Sequence, residues 1–371
     1  MPSRTGSSSG RRGRGGRSGR SHAKAIPGNP FVAMLEEIRQ DINARLGGFL
    51  DAKLDAAEPY GAEVLEMVSA TRDLCLRGGK RLRPALLVAG YRAASATAEL
   101  EPALDAGVAL ELLQAYFLIH DDWMDRDTVR RGGPAVHALL AKRFRSQRIG
   151  HASGILAGDY AAALAAEALS RVDIKPAYAP RVFSNFARMQ LDAVTGQQLD
   201  LIGRARDVEK TYELKTGSYT VRGPLRVGAL MAGASPRVIT TLDRFALPIG
   251  VAFQMRDDLL SAFGDPSQTG KPFGSDLKSG KRTALLLAAL RRARGRDHRT
   301  LKSVVGNARA TDAQIRRAVD VLERSGARQV IEERIDELYA SALVALRARR
   351  ITPEGKELLV GAARALTARR S

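Results

Sequence analysis

From Phe31 onward, apolar residues recur at steps of three and four, as in FVAMLEEIRQDINARLGGFL (31–50) and ALDAGVALELLQAYFLIHDD (103–122). That is the period of a helix with one buried face. Alternating, strand-like runs are nearly absent. Helix breakers fall at Gly78-Gly79 and Pro84, Gly132-Gly133-Pro134, Pro176 and Pro180, Gly223-Pro224, Pro248, between Gly264 and Gly274, and at Pro353. The punctuation predicts about a dozen helices. No fixed-period repeat and no dividing linker appears, so residues 31–371 are expected to form one all-α domain. Residues 1–30 are Gly/Ser/Arg-rich, with too little apolar surface to fold alone, and are expected to be a disordered basic tail.

Composition refines this picture. Hydrophobic residues make up 44% of the 371 positions but aromatics only 5%, so alanine and leucine must supply the packing through close helix contacts. No run of about 18 uncharged apolar residues and no secretory signal core is present, which predicts a soluble protein without a transmembrane segment. Cys75 stands alone, so an internal disulfide and a cysteine-based zinc site are both excluded. A core thiol in a reducing, cytoplasmic compartment is expected. Net charge is +19, of which Arg4, Arg11, Arg12, Arg14, Arg17, Arg20 and Lys24 supply seven ahead of the first acid, Glu36. The body is basic in its own right. Such a balance suits nucleic acid, an anionic membrane or a small polyanionic substrate, and only the placement of the charges decides among them. For the tail, a solvated segment ranks ahead of contact with RNA or membrane phosphate and ahead of a transit peptide.

The acids are placed unusually. IHDDWMDRD (119–127) ends an apolar helical run with four carboxylates, and Asp121 and Asp125 share one helix face with Asp122 about 100° round. A second run, Ile249 to Met255, again leads into Asp257-Asp258. One such cluster is ordinarily a solvated helix end. Two, each closing a buried helix, offer hard oxygen ligands from opposite sides of a cavity, which suits Mg²⁺ completed by water and phosphate oxygens. Cations sit beside them: Lys80, Arg81 and Arg83 after a glycine pair, Arg130 and Arg131 about two turns beyond Asp125, Lys215 with Thr216, and Lys271 and Lys281 after the second cluster. Arginine forks and ammonium groups beside glycine pairs suit a polyphosphate. A nucleic-acid groove would explain the cations but not the acids.

In chain order, GGKRLRP, LIHDDWMD, RRGGPAVH, GQQLDL, KTGSYT, FQMRDDLL and GKPFGSDLKSGKRT resemble the motifs of the trans-isoprenyl diphosphate synthase (polyprenyl synthetase) family, from about residue 31 to the C-terminus. The resemblance implies an isoprenoid-synthase-type helical bundle around a central apolar cavity, homodimeric and Mg²⁺-dependent, that condenses isopentenyl diphosphate with allylic diphosphates. It further implies that Asp121, Asp125 and Asp257 ligate three Mg²⁺ ions, with Asp122 and Asp258 supporting. Arg130, Lys215, Lys271 and Lys281 would grip the allylic diphosphate. Lys80, Arg83, Gln114 and Arg131 would hold isopentenyl diphosphate, and Thr216, Gln254 and the Lys215 carbonyl would face the developing carbocation. No side-chain base is needed, because departing diphosphate can take the proton.

One departure stands out: the second acidic motif ends in Ser261 where the family usually has a third aspartate. The intact first motif argues against a non-catalytic regulatory subunit. A class I terpene cyclase, the alternative enzyme, has no second substrate and no need of Lys80, Arg83 and Arg131. His120 and His137 are expected to be hydrogen-bonded neighbours and Trp123 a packing residue. Tyr116 and Phe117, one turn below the acids, are expected to floor the cavity and stop the chain at C15, farnesyl diphosphate, with C20, geranylgeranyl diphosphate, as the runner-up.

Overall fold

The computed structural model describes residues 28–203, 207–264, 274–348 and 350–368. The expectation of a disordered tail and the Lys271 assignment therefore lie outside the described residues, apart from positions 28–30. The described chain is all-α. It runs through α1 (Pro30–Ala57), α2 (Ala62–Leu76), α3 (Leu82–Ala94), α4 (Glu101–Asp125), α5 (Val136–Arg143), α6 (Gln147–Ser170), α7 (Ala179–Ile202) and α8 (Val208–Tyr212). A π-helical segment (Glu213–Arg222) follows, then α9 (Gly223–Met231) and α10 (Pro236–Phe263). The remainder is α11 (Ser275–Ser279), α12 (Ala284–Arg292), α13 (Gly295–Val304), α14 (Asp312–Arg324), α15 (Ala327–Ala345) and α16 (Pro353–Thr367). Two short antiparallel strands, β1 (Val129–Arg130) and β2 (Gly133–Pro134), pair Val129 with Pro134 and Arg130 with Gly133.

Asn29 begins the bundle. Its side-chain oxygen accepts from the Phe31 and Val32 amides at 3.0 and 3.3 Å, capping α1, while its amide donates to the Gly361 carbonyl at 2.9 Å and ties the first described helix to the last. α4 is the central helix, with Leu110, Leu112, Leu113 and Ile119 wholly enclosed. By length and composition it could cross a membrane, yet 72% of its apolar window is buried among neighbouring helices. It is a core helix. A second apolar cluster, including Leu259, Leu285, Leu301, Ile315, Leu322 and Ile331, packs the C-terminal half of α10 against α12 to α15.

Small residues set how closely these helices approach. A Cβ at Gly90 of α3 would lie 2.1 Å from the Leu225 carbonyl oxygen, and one at Gly228 of α9 would lie 1.9 Å from that of Leu87. Only glycine permits that crossing.

Two expected breaks are absent. α10 continues through Pro248, held on either side by α15 and the π-helical segment, so packing outweighs the lost hydrogen bond. At Gly223-Pro224 the chain changes from π to α geometry without leaving the helix, and Pro224 falls where the ladder changes register and has no N–H to leave unpaired. Arg130 and Arg131 do not continue the α4 helix either. Arg126 adopts a left-handed conformation (φ 60°) and stops it, and the β1–β2 turn brings Arg130 back to Asp122 while Arg131 reaches the Leu74 and Gly78 carbonyls.

Candidate active site

α4 and α10 end at the mouth of one cavity of ≈ 410 Å³. Asp121 lines it from α4, while Gln254, Asp257, Asp258 and Ser261 line it from α10. Between them stands the π-helical segment with Lys215, Thr216 and Tyr219. Its position is set by backbone contacts: a Cβ at Gly196 of α7 would lie 2.1 Å from the Lys215 nitrogen, and one at Gly250 of α10 would lie 2.5 Å from the Gly217 Cα. π geometry is rare and concentrates at functional sites, because the extra residue per turn turns side chains out of helical register.

Of the residues singled out by sequence, Lys80, Arg83, Gln114, Asp121, Arg130, Lys215, Thr216, Gln254, Asp257, Asp258 and Lys281 line this cavity together. Asp122, Asp125, Arg131, Tyr116 and Phe117 do not. Asp122 is buried and accepts from Arg130 Nε at 2.6 Å, and its second oxygen has no partner. Burial pushes its carboxyl up to about 6 against the pull of Arg130. Asp125 accepts from Lys281 Nζ at 2.5 Å. Arg131 donates to the Leu74 and Gly78 carbonyls at 3.1 and 2.9 Å, and so braces the glycine turn that carries Lys80. That turn is left-handed at Gly78, Gly79 and Arg81 (φ 88°, 136° and 48°). The strained Arg81 is held by a buried pair with Glu111 and by Asn43 Oδ1 at 2.7 Å. Tyr116 and Phe117 pack ring to ring at 4.6 Å behind Tyr219, whose centroid is 4.6 Å from that of Phe117.

The cations are engaged by the acids. Lys215 pairs with Asp200 and lies 3.6 Å from Asp121, and these charges outweigh burial in raising its ammonium above the usual lysine range. Lys281 is raised likewise, burial being outweighed by Asp125 and Asp121. Arg83 lies over the Tyr219 ring at 4.5 Å and donates to Thr220 Oγ1 at 2.7 Å. Gln114 Oε1 and Ser261 Oγ are buried without partners. Among the described residues no three carboxylate, histidine or cysteine side chains converge tightly enough to enclose a metal unaided. The donors present are hard oxygens on opposing helices, and they fit a Mg²⁺ whose remaining ligands come from phosphate and water.

The polyprenyl synthetase family pattern matches residues 65–322. The chain belongs to the polyprenyl synthetase family. A short chain isoprenyl diphosphate synthase of Methanocaldococcus jannaschii is 33% identical over 70% of this chain and 77% of its own. A farnesyl diphosphate synthase of Geobacillus stearothermophilus is 33% identical over 69% and 84%. The solved geranylgeranyl pyrophosphate synthase of Corynebacterium glutamicum, complexed with isoprenyl diphosphate and magnesium, superposes with a TM-score of 0.86 at 35% identity, covering 91% of this chain and 99% of that one. The protein is a prenyltransferase with prenyl diphosphate synthase activity.

Two further residues of this polyprenyl synthetase, Asp200 and Tyr212, line the cavity without having been singled out from the sequence. Asp200 lies inside the quoted GQQLDL stretch and received no role, yet it holds Lys215. Tyr212 is buried and donates to Asp258, and its oxygen accepts from the Ala284 amide at 2.7 Å. An acid closing the apolar face of α7 was a usable signal for Asp200. Nothing local marked Tyr212, because its partner is 46 residues away. His120 Nε2 donates to the Ile155 carbonyl at 3.0 Å, the hydrogen-bonded neighbour expected of it.

Proposed function

We propose that this enzyme condenses isopentenyl diphosphate head-to-tail with allylic diphosphates to give a short all-trans product, farnesyl diphosphate (C15), with Mg²⁺. The observation that carries the reading is the convergence on one cavity of acids from two helix ends with Lys80, Arg83, Lys215 and Lys281. A cyclase would have no use for the Lys80–Arg83 side. Three Mg²⁺ ions are proposed, held by Asp121, Asp125 and Asp257 and supported by Asp122 and Asp258; the bound metal would stabilise charge on the departing diphosphate. Lys215, Lys281, Arg130 and, outside the described residues, Lys271 are assigned to the allylic diphosphate. Lys80, Arg83, Gln114 and Arg131 are assigned to isopentenyl diphosphate. Lys215 and Lys281 would exchange their present carboxylate partners for phosphate oxygens as metal takes the carboxylates.

C15 is supported by the bulk of Tyr116 and Phe117 one turn below Asp121. The second reading, C20, is supported by relatives named geranylgeranyl diphosphate synthase, such as that of Methanosarcina mazei, 34% identical over 79% of this chain and 86% of its own. A homodimer is proposed on the exposed apolar residues Ile155 and Leu156 of α6 and Phe183, Leu191, Val194, Leu201 and Ile202 of α7. Product analysis after incubation with Mg²⁺, isopentenyl diphosphate and each allylic primer tests the whole reading. Farnesyl diphosphate as the end product is expected; C20 selects the second reading, and absence of any elongation overturns both. Chelation of Mg²⁺, Asp121→Ala and Asp257→Ala are each expected to abolish turnover.

A further inference from the structure

A chain of four hydrogen-bonded side chains runs along the cavity wall. Thr216 Oγ1 donates to Gln254 Oε1 at 2.7 Å, and Gln254 Nε2 donates to Asp258 Oδ1 at 2.9 Å. The other carboxylate oxygen of Asp258 accepts from the Tyr212 hydroxyl, which itself accepts from the Ala284 amide at 2.7 Å. A side-chain amide has one end that donates and one that accepts, and the two are nearly the same size, so only its partners decide which end faces the cavity. Here both Asp258 oxygens accept, Oδ1 from Gln254 and Oδ2 from Tyr212. Asp258 draws the NH₂ end of Gln254 towards itself and leaves the amide oxygen beside Thr216 at the cavity wall.

We propose that Tyr212 is a positioning residue that sets the orientation of Gln254, and hence the sign of the dipole the cavity presents to a developing carbocation. The proposal rests on the reading of the cavity as a prenyl-transfer site. Tyr212 is suited to the task. Its ring is buried, it sits in α8 immediately before the π-helical segment, and its hydroxyl has both a fixed donor partner at the start of α12 and a fixed acceptor in α10. The hydroxyl proton is therefore committed to Asp258, and the carboxylate is held where it faces the Gln254 NH₂. Without the hydroxyl, Asp258 loses one of its two donors and is free to turn away, and the Gln254 amide can invert. An inverted amide would point N–H dipoles at an allylic cation, which raises the barrier to ionisation without disturbing the diphosphate contacts.

The test is a double-mutant cycle on the purified full-length enzyme with Mg²⁺, isopentenyl diphosphate and an allylic primer. Tyr212→Phe removes only the hydroxyl, and is expected to lower kcat about ten-fold while both KM values stay within about two-fold. Gln254→Leu removes the amide, and in that background Tyr212→Phe is expected to cost nothing more. Should Tyr212→Phe fail to fold, Asp258→Asn, which gives position 258 a donor, supplies the same cycle from the middle of the chain and is expected to couple to Gln254→Leu in the same sense. An unchanged kcat in Tyr212→Phe, a loss carried by KM, or additive losses in the cycle would overturn the proposal. An unaltered enzyme that makes no elongated product would instead overturn the prenyl-transfer reading on which it rests.

Discussion

Asp258 shows how one residue's surroundings reach the behaviour of the protein. It is buried, and burial pushes its carboxyl from 3.8 up to about 8, with Tyr212 and Gln254 opposing and the charge of Asp276 adding to the rise. Asp122 is raised in the same direction, to about 6. A group whose folded pKa lies above its unfolded value binds its proton more tightly when folded. Its contribution to stability is complete below the unfolded value and is lost as pH rises through the folded one. Lys215 and Lys281, also raised, lose theirs only above the ordinary lysine range and do not enter this window. The metal-free enzyme is therefore expected to melt at progressively lower temperature from about pH 4 to about pH 8, and Asp258→Asn should flatten the upper part of that fall. Thermal melts in chelator across the range decide it; a midpoint that rises with pH contradicts the assignment. Saturating Mg²⁺ with diphosphate should oppose the trend, because metal favours the ionised carboxylates. The acids themselves were legible in the sequence because each closes an apolar helical run. Their pairing was not: that Asp122 faces Arg130 depends on the left-handed Arg126, which local composition does not announce.

Among the elements, α4 was the most legible and the π-helical segment the least. The three- and four-residue spacing before Asp121 required a buried helix, and the chain has one from Glu101 to Asp125. KTGSYT could be recognised as a motif, but not its π geometry or its close packing against Gly196 and Gly250 on two other helices, which no window of sequence contains. Pro248 misled for the same reason, since packing overrides a breaker that would act in isolation. The helical register of α4 carries a prediction of its own. Phe117 lies one turn below Asp121, its ring touches Tyr116 on one side and Tyr219 on the other, and Tyr219 in turn lies under Arg83. The stack links the proposed floor to Arg83 at the cavity wall. Tyr116→Ala and Phe117→Ala are expected each to lengthen the product by at least one five-carbon unit, and the pair to lengthen it further, with primer ionisation retained. Chromatography of the dephosphorylated products reads the length; an unchanged distribution in the double variant means that these rings do not form the floor.

At the scale of the whole molecule, the all-α architecture followed from the absence of alternating strand patterns and from an alanine- and leucine-rich core. The surface is a different matter, because an exposed apolar residue looks the same in sequence whether it meets solvent or another chain. On α7, Leu191, Val194, Leu201 and Ile202 are 62%, 51%, 46% and 57% exposed and recur at steps of three, seven and one, which keeps them on one side of the helix. Four exposed apolar side chains on one side of one helix are more than scattered surface leucines would give. The basic charge of the body argues against burying such a face in a nonspecific aggregate, since like-charged copies repel everywhere except where apolar surface is shared. An isologous pairing of this side of α7 with itself is the contact the proposed homodimer would use. Leu191→Glu with Val194→Glu would place four carboxylates in a dimer interface with no cation given to them. On the proposed homodimer, the unaltered enzyme is expected to sediment as a dimer and the double variant as a monomer at the same concentration. The double variant should also remain helical by circular dichroism, because both positions are already solvent-facing in the single chain. A variant that still sediments as a dimer would place the contact on another face.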